Sequence, residues 1–360
     1  MAIAVVLDAF NRYEPIGIDF HTYLAAALVG VRHGWSAIYD QGLVATAQKE
    51  LNPGQLAQPF LSPPTDAWLT APLTFLPYWA AYWTWAAVTF IAFAASLVWA
   101  SRSQGVERWV VAAAAIAPWW VLHAVNLGQV SPLVATGVVL ATRLCRERRD
   151  VYAGVALSLL YLKPNTAFLV PVAVLVAGRY RAFVAWAACG AVIALAAIVT
   201  LGPGGVSTYL GQLTGTLPEG ANNLTVEGAF GLSGGAALAA RLVLVAVTVG
   251  AAFGFRSEPA MALAAGSLGS LLAVTYLHGS DLCLFSAAAW IVWEERRTLR
   301  WRVPLALGWL ISVPYVNSTS YGIRLNRWPI LELALLLALA VTAWLPAWSS
   351  PRERVSASGS

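Results

Sequence analysis

Charged side chains are scarce in this chain. Of its 360 residues, 11% are Asp, Glu, Lys or Arg, whereas about a quarter are charged in ordinary soluble domains. Apolar residues make up 59% of the chain, and the mean hydropathy is +0.67. This composition excludes an ordinary soluble fold and predicts an all-α polytopic membrane protein.

Lysine and cysteine are also rare. Lys49 and Lys163 are the two lysines among 22 basic residues, and no long basic run is present. We therefore interpret the basic residues behind the pI near 9.2 as determinants of membrane orientation and not as a nucleic-acid-binding surface. Cys145, Cys189 and Cys283 lie in or beside apolar segments without the spacing of metal ligands. We expect no nucleic-acid partner, no disulfide and no cysteine-bound metal.

Apolar segments recur along the chain, and several are shorter than the roughly 20 residues that cross a bilayer perpendicularly. Such short segments indicate broken or shallow helices packed around a cavity within the membrane. Together with a partial first helix, they predict about 11–12 transmembrane helices. The segments are residues 68–100, 109–123, 130–142, 151–162, 165–178, 182–201, 236–255, 259–276, 282–293, 303–316 and 328–348.

Residues 1–10 are apolar but cannot span a membrane alone, since ten helical residues rise only about 15 Å. They form either a short interfacial helix or the end of a transmembrane helix that begins upstream, and we favour the second. Residues 349–360 are small and polar, which predicts a disordered cytoplasmic tail. Residues 1–348 are expected to form one membrane domain with large extracytoplasmic loops at 11–66 and 202–235.

Basic residues concentrate in alternate loops, which by the positive-inside rule face the cytoplasm. Fifteen of the 22 basic residues lie on this side. They are Arg102, Arg108, Arg143, Arg146, Arg148, Arg149, Arg179, Arg181, Arg256, Arg296, Arg297, Arg300, Arg302, Arg352 and Arg354.

The opposite side collects the polar stretches with functional potential. Lys163, Arg324 and Arg327 on that side run against the charge bias, so we interpret them as candidate anion ligands. The stretches are 11–66, 123–129, 163–165, 202–235, 278–281 and 324–327.

The stretch Gly17–Tyr23 places an acid, an imidazole and a phenol within seven residues. A carboxylate beside hydrocarbon is penalised, so Asp19 is a candidate functional acid. The alternative is that Asp19 only caps the amphipathic helix that the pattern predicts at Phe20–Arg32, because Asp is a favoured N-cap residue.

Several motifs follow one another in a fixed order between about residues 19 and 293. They are Asp19-Phe20-x-x-Tyr23, Gly34 to Asp40, Pro72 to Pro77, Asn126-Leu127-Gly128-Gln129-Val130-Ser131-Pro132, Gly154 to Pro164 and Tyr276-Leu277-His278-Gly279-Ser280-Asp281-Leu282. Together these motifs resemble those of glycosyltransferase family 87, a family of membrane enzymes of the GT-C superfamily that use polyprenyl-phosphate sugars. Its best-known members are α-(1,2)-mannosyltransferases.

The resemblance implies a GT-C-type fold with a catalytic first extracytoplasmic loop in a bacterial cell membrane. It implies that Asp19 is the catalytic aspartate and that the His278 region supplies a second site residue. The sequence departs from the family at Pro59–Pro64, where a tyrosine-proline-proline run is usual, and this concerns the fit of the acceptor. The implied partners are a polyprenyl-phosphate hexose, mannose above all, a glycolipid or glycan acceptor, and membrane lipids.

An inverting transfer needs a base for the acceptor hydroxyl and a cation for the departing phosphate. Asp19 suits the first role, and no second acid is required because phosphate is a good leaving group. Lys163, Arg324 and Arg327 suit the second. Alternatively, Lys163 snorkels to the interface and the two arginines anchor the last helix to lipid headgroups. No metal or other cofactor is expected.

Further polar residues could hydrogen-bond the sugar or the acceptor, although a histidine at a membrane interface can equally be satisfied by its neighbours. For Asp281 a structural role as N-cap of the helix ending at Trp293 is favoured. These candidates are His21, Tyr23, His123, Asn126, Gln129 and Asp281.

A transporter or flippase is the rival function, because broken helices with charged residues would also be expected there. The long acidic first loop and the lack of a pseudo-repeat favour the transferase.

Overall fold

In the computed structural model, residues 16–215, 224–312 and 328–345 are described, and they are all-helical. The predicted all-α class is confirmed. The helices are α1 (Ile18–His33), α2 (Gln41–Leu51), α3 (Pro64–Thr70), α4 (Tyr78–Ala100), α5 (Gly105–Ile116), α6 (Trp119–Leu127), α7 (Ser131–Arg146), α8 (Asp150–Leu157), α9 (Leu169–Val176), α10 (Tyr180–Gly215), α11 (Val226–Phe230), α12 (Gly234–Gly254), α13 (Pro259–Ala273), α14 (Cys283–Glu295), α15 (Leu299–Ser312) and α16 (Trp328–Trp344).

Three of the described helices, α4, α10 and α12, are long and apolar enough to cross a membrane. The pair α5 and α6 adds a broken span, bent by 66°. Pro118 lies at this break and cannot donate the backbone hydrogen bond that a continuous helix needs. Broken helices were predicted and are confirmed, whereas the total of about 11–12 spans stays a prediction.

Two predicted segment boundaries are wrong. Residues 68–100 do not form one helix, because α3 ends at Thr70 and α4 begins only after Pro77. The predicted loop 202–235 begins as helix, since α10 continues to Gly215 through a kink at Gly202 (φ 64°, ψ 176°). Glycine tolerates this left-handed φ, and Pro203 then suits the first turn of the continuing helix.

The helix predicted at Phe20–Arg32 is present as α1, but most of it is buried on all sides and does not expose a polar face. Its residues from Phe20 to Gly30 are all buried, because α2, α3 and the 3-10 turns Trp35–Ala37 and Ala71–Phe75 pack around it. The first polar loop is thus a compact unit that encloses a helix.

The core is densest around α13, which is buried from end to end. Its small residues allow close approach: a Cβ on Gly266 would lie 2.7 Å from that of Ala173, and one on Gly269 would lie 2.0 Å from Thr248 Oγ1. The three cysteines are free, and Cys145 and Cys283 are buried in the core.

Two polar layers lie at opposite ends of α7 and α14. At the N-terminal end of α7, Ser131 Oγ donates to Asp281 Oδ1 (3.0 Å), just before α14 begins. At the C-terminal end, Arg146 pairs with Glu295, the last residue of α14 (2.6 Å). Because the 16 residues of α7 rise about 24 Å, the arginine-rich layer and the layer of candidate site residues are well separated.

Several sequence-based expectations lie outside the described residues. They concern residues 1–10, Arg324, Arg327 and the tail at 349–360.

Candidate active site

Gly17 fixes the start of α1 and so the position of Asp19. Its φ of 74° is left-handed, its N–H donates to the carbonyl of Asn126 (2.7 Å), and its carbonyl accepts from the Tyr78 hydroxyl (3.2 Å). A Cβ at Gly17 would lie 2.9 Å from the Tyr82 ring. Gly17, not Asp19, is the N-cap residue, so the capping alternative for Asp19 is wrong.

Gln129 lies at the centre of the polar layer. Its Nε2 donates to Asp19 Oδ2 (2.6 Å), and its Oε1 accepts from the Tyr23 hydroxyl (3.2 Å) and from Lys163 Nζ (3.2 Å). The left-handed Gly128 (φ 73°) ends α6 and turns Gln129 toward α1. One amide therefore connects a carboxylate to an ammonium group.

Lys163 also forms an ion pair with Asp281, whose Oδ1 is 2.6 Å from Nζ. The lysine is the residue between the 3-10 turns Ser158–Leu162 and Pro164–Thr166, and its side chain is 16% exposed. Burial alone would raise the pKa of Asp281, but Lys163, His278 and their hydrogen bonds lower it below its ordinary value. The simple snorkelling alternative for Lys163 is therefore wrong, since its ammonium is held inside the site.

The 3-10 turn Gly279–Leu282 carries the last part of the layer. His278 precedes this turn, its N–H donates to Asp281 Oδ2 (2.9 Å), and its Nε2 shares a hydrogen bond with the Tyr276 hydroxyl (2.7 Å). Asp281 takes part in capping this helical segment, as predicted, although the N-cap residue is His278: the two residues form a capping box at the turn that continues directly into α14. Asp281 also contacts Lys163 and Ser131.

The family model of glycosyltransferase family 87 matches residues 60–313, more than half of the chain. The chain belongs to glycosyltransferase family 87. It is therefore an enzyme that transfers a sugar from a donor to an acceptor, which overrules the transporter alternative. No curated protein and no solved structure matches the chain.

The matched part of this glycosyltransferase contains Gln129, Lys163 and Asp281 but not Asp19 or Tyr23. Only the geometry connects α1 to the matched residues. The roles implied by the resemblance thus stay predictions, whereas the grouping of the five side chains is a structural observation.

Other predicted ligands lie at the edge of the layer or behind it. His21 is fully buried, its Nε2 donates to the carbonyl of Gln48 (2.8 Å), and burial lowers its pKa while this bond raises it. Asn126 holds Gly17 and the Tyr82 hydroxyl through its backbone carbonyl. His123 packs against Trp119 and lies beside the turn at Gly279.

Sequence reasoning missed Asp66, which the fold buries completely in α3. Its carboxyl group acts electrostatically on Tyr23 and Lys163. An acid at the edge of a long apolar segment was the available signal, since such residues mark functional sites.

Aromatic side chains form a wall beside Asp66. Tyr39 stacks on Tyr209 (4.7 Å between ring centroids) and on Phe60 (5.4 Å), and Phe60 meets Tyr23 edge-on (6.5 Å). The kink in α10 brings Tyr209 over the first loop, where Gln212 Nε2 also donates to the carbonyl of Tyr39 (2.8 Å). Such rings can stack on a sugar.

Among the described residues, no group of three or more His, Cys, Asp or Glu side chains is arranged to hold a metal ion. The expectation that the reaction needs no metal or cofactor stays a prediction.

Proposed function

We propose that this glycosyltransferase moves a hexose, namely mannose, from a polyprenyl-phosphate sugar to a hydroxyl group of a glycolipid or polysaccharide. The reaction inverts the anomeric carbon and takes place on the extracytoplasmic side of the membrane. Mannose and the lipid-phosphate donor follow from the family resemblance of the motifs, and the residue roles follow from the geometry.

One observation carries the proposal: Gln129 holds the Asp19 carboxylate on one side (2.6 Å) and the Lys163 ammonium on the other (3.2 Å). An inverting transfer needs these two charges at opposite ends of the reacting bond. A base must face the incoming hydroxyl, and a cation must face the leaving phosphate. The amide fixes their separation and aligns both groups.

Each group has one step in this reaction. Asp19 takes the proton of the acceptor hydroxyl as that oxygen bonds to the anomeric carbon. The bond from this carbon to the phosphate oxygen breaks, and the oxygen leaves with the electron pair. Lys163 stabilises the charge that develops on the phosphate, and it can turn from Asp281 toward this anion without leaving the site. His278 lies next to Asp281, and its electrostatic interaction with that carboxyl group helps to lower the pKa of Asp281.

An apolar cavity supports a lipid-linked donor. It has a volume of about 870 Å³ and lies between α5, α14, α15 and α16. Trp120, Phe285 and Ser286 line one end, close to the Asp281 turn, and Arg300 and Trp301 line the other. A cavity of this size with apolar walls suits a hydrocarbon chain whose phosphate reaches the polar layer.

The separation of the two polar layers supports the orientation. Positive side chains favour the cytoplasmic side, and the arginine-rich layer containing Arg146 is at the far end of α7 from Ser131. The Asp19 layer then faces the extracytoplasmic side, where a lipid-linked sugar would serve as the donor.

In vitro transfer tests the proposal. Purified protein is incubated with synthetic polyprenyl-phosphate mannose, glucose or galactose and a panel of glycolipids, and products are read by mass spectrometry. Transfer with inversion from at least one of these donors is expected. Transfer from nucleotide sugars alone would contradict the proposed donor class.

A further inference from the structure

Asp66 is a buried acid whose side chain has no hydrogen bond within the described residues. It is 0% exposed, and neither Oδ1 nor Oδ2 has a partner. The hydroxyl groups of Ser62 and Thr65 lie near enough to favour its charged form, but neither makes a hydrogen bond of normal geometry with it. A carboxyl group buried in this way lowers stability, so its presence requires an explanation.

Charged and aromatic groups surround Asp66. The charge of Lys163 acts on its carboxyl group, and this carboxyl group in turn acts electrostatically on the hydroxyl groups of Tyr23, Tyr39 and Tyr209. The hydroxyl Oγ1 of the neighbouring Thr65 is also buried and, in the described part of the chain, without a partner. The Asp66 carboxyl group and the Thr65 hydroxyl group could therefore both form hydrogen bonds with a ligand beside the aromatic wall.

The protonation state fits a neutral, hydroxyl-bearing ligand. Burial raises the pKa of Asp66 well above its ordinary value, more than Lys163 and the nearby hydroxyl groups lower it. A protonated carboxyl group offers one donor and one or more acceptor positions, as a sugar hydroxyl does. A second anion at this place would instead compete with the phosphate for Lys163.

We propose that Asp66 binds a hydroxyl group of the transferred sugar and so helps to select the donor. The inference rests on the proposed function, because it takes Lys163 as the phosphate ligand. The sugar is bonded directly to that phosphate, and we place it between Lys163 and the aromatic side chains of Tyr23, Phe60 and Tyr39, where Asp66 and Thr65 Oγ1 have unpartnered polar atoms in the described residues. A hydroxyl of the acceptor sugar offers the same chemistry, and the test separates the two sources.

Two substitutions separate binding from packing. Asp66→Leu removes every hydrogen bond at nearly the same volume, whereas Asp66→Asn keeps a donor and an acceptor. Glu332→Leu is the matched control, because Glu332 in α16 is equally buried and both its carboxyl oxygens lack partners in the described residues. Both leucine variants should raise the melting temperature of the ligand-free protein by about 2 °C, since each removes an unpartnered carboxyl group.

Donor kinetics then test the role. With the polyprenyl-phosphate sugar that carries all its hydroxyl groups, Asp66→Leu should lower kcat/KM by about 10- to 100-fold and Asp66→Asn by less. Glu332→Leu should leave kcat/KM unchanged. The same proteins are assayed with monodeoxy versions of the polyprenyl-phosphate sugar and, separately, of the acceptor. For the wild type, one of the deoxy donors should lower kcat/KM by the same factor as the Asp66→Leu substitution does with the full donor. For Asp66→Leu, that deoxy donor should lower kcat/KM little further, because the hydrogen bond is already absent.

The outcomes decide among distinct accounts. If the effect of Asp66→Leu on kcat/KM were instead non-additive only with a deoxy acceptor, Asp66 would bind the acceptor, and the donor assignment would be overturned. Unchanged kinetics in Asp66→Leu, or a lowered melting temperature in both Asp66 variants, would show a merely structural residue. In each of these cases wild-type transfer still supports the proposed function. If the wild type transfers from no lipid-phosphate sugar, the proposed function fails and this inference with it.

Discussion

Lys163 and Asp281 form an ion pair in which Nζ lies 2.6 Å from Oδ1, although the sequence separates the two residues by more than a hundred positions. The Asp281 side chain is 1% exposed, so the carboxylate of this pair is almost completely shielded from solvent. A phosphate that binds Lys163 must therefore share this ammonium with a carboxylate that is already in place. Gln129 and Ser131 complete the environment and keep both charges hydrogen-bonded.

Replacing Lys163 should affect stability and donor use separately. Lys163→Met leaves Asp281 buried and unpaired, so the free energy of unfolding should fall by about 3 kcal/mol. The KM for the donor should rise by about 10- to 100-fold, because a charge-assisted contact to phosphate is lost. Thermal unfolding and initial rates at varied donor concentration measure the two effects.

A double variant provides the control. Lys163→Met with Asp281→Asn removes both charges and should recover most of the stability but not the donor KM. Recovery of the donor KM together with stability would show that Lys163 acts only through the ion pair.

The pH dependence of stability should report on Asp66. Below about pH 4 this acid is protonated in both the folded and the unfolded state and contributes nothing. Above it, the unfolded state releases the proton while burial keeps the folded state protonated, because the folded pKa is raised. The free energy of unfolding therefore loses about 1.4 kcal/mol per pH unit from this group until the folded pKa is reached.

Asp66→Asn removes this dependence. Its stability gain over wild type should be smallest near pH 4.5 and should grow as the pH rises toward the raised pKa that Asp66 has in the folded protein. Melting temperatures of both proteins in one detergent across this range provide the measurement. A gain that is constant with pH would mean that Asp66 titrates alike in the folded and unfolded states.

Gly128 should tolerate no side chain. A Cβ there would lie 2.5 Å from the Cβ of Phe20, and its φ of +73° is strained for alanine. Gly128→Ala should therefore destabilise the protein by about 2 kcal/mol or more and lower transfer, because Gln129 must move away from Asp19. Denaturation and transfer assays read both effects.

Gly211 in α10 is the matched control for this substitution, since no atom of the described residues would lie within 4 Å of a Cβ there and its φ is not positive. Gly211→Ala should be neutral or slightly stabilising. Equal losses in the two variants would show that the close approach of Gly128 and Phe20 is unimportant.

Site-directed labelling should place the two polar layers on opposite sides. In a Cys189→Ala background, Ser207→Cys should react with an impermeant maleimide added outside intact cells, whereas Arg148→Cys should react only after permeabilisation. Both positions are exposed, and the remaining native cysteines Cys145 and Cys283 are buried. Labelling of both from the same side would contradict the orientation.

The sequence predicts which residues share one side of the membrane but not which of them touch. Charge asymmetry fixes the order of loop faces, and from it Asp19, Gln129, Lys163 and Asp281 are expected on one side. Their contacts depend on how helix ends pack, which hydropathy does not encode. For that reason the Gln129 bridge and the Lys163–Asp281 pair appear only in the structure.

The missed features have a similar physical cause. Helix α1 is predicted to be amphipathic, yet α2 and α3 cover it, and only tertiary packing decides this. Asp66 follows two prolines, so its pattern favours a turn at the surface, whereas the fold turns it inward. The sequence predicts a helix end at Gly202 because Gly-Pro usually interrupts a helix, whereas α10 continues through a kink there.

The most direct test of the central claim is the transfer rate of Asp19→Asn. Asn keeps the size and can still hydrogen-bond Gln129, but it cannot take the acceptor proton. Asp40→Asn is the matched control, since Asp40 caps α2 by accepting from Gly42 N (2.9 Å) and Leu43 N (3.1 Å), and Asn caps equally well. Both variants should unfold at the wild-type temperature.

With matched donor binding in the same detergent, Asp19→Asn should lower the transfer rate by about 100- to 10,000-fold, which corresponds to roughly 3 to 5 kcal/mol. Asp40→Asn should retain the wild-type rate. An Asp19→Asn protein that binds donor normally and transfers sugar within a few-fold of wild type would contradict the account, because the reaction would then have another base.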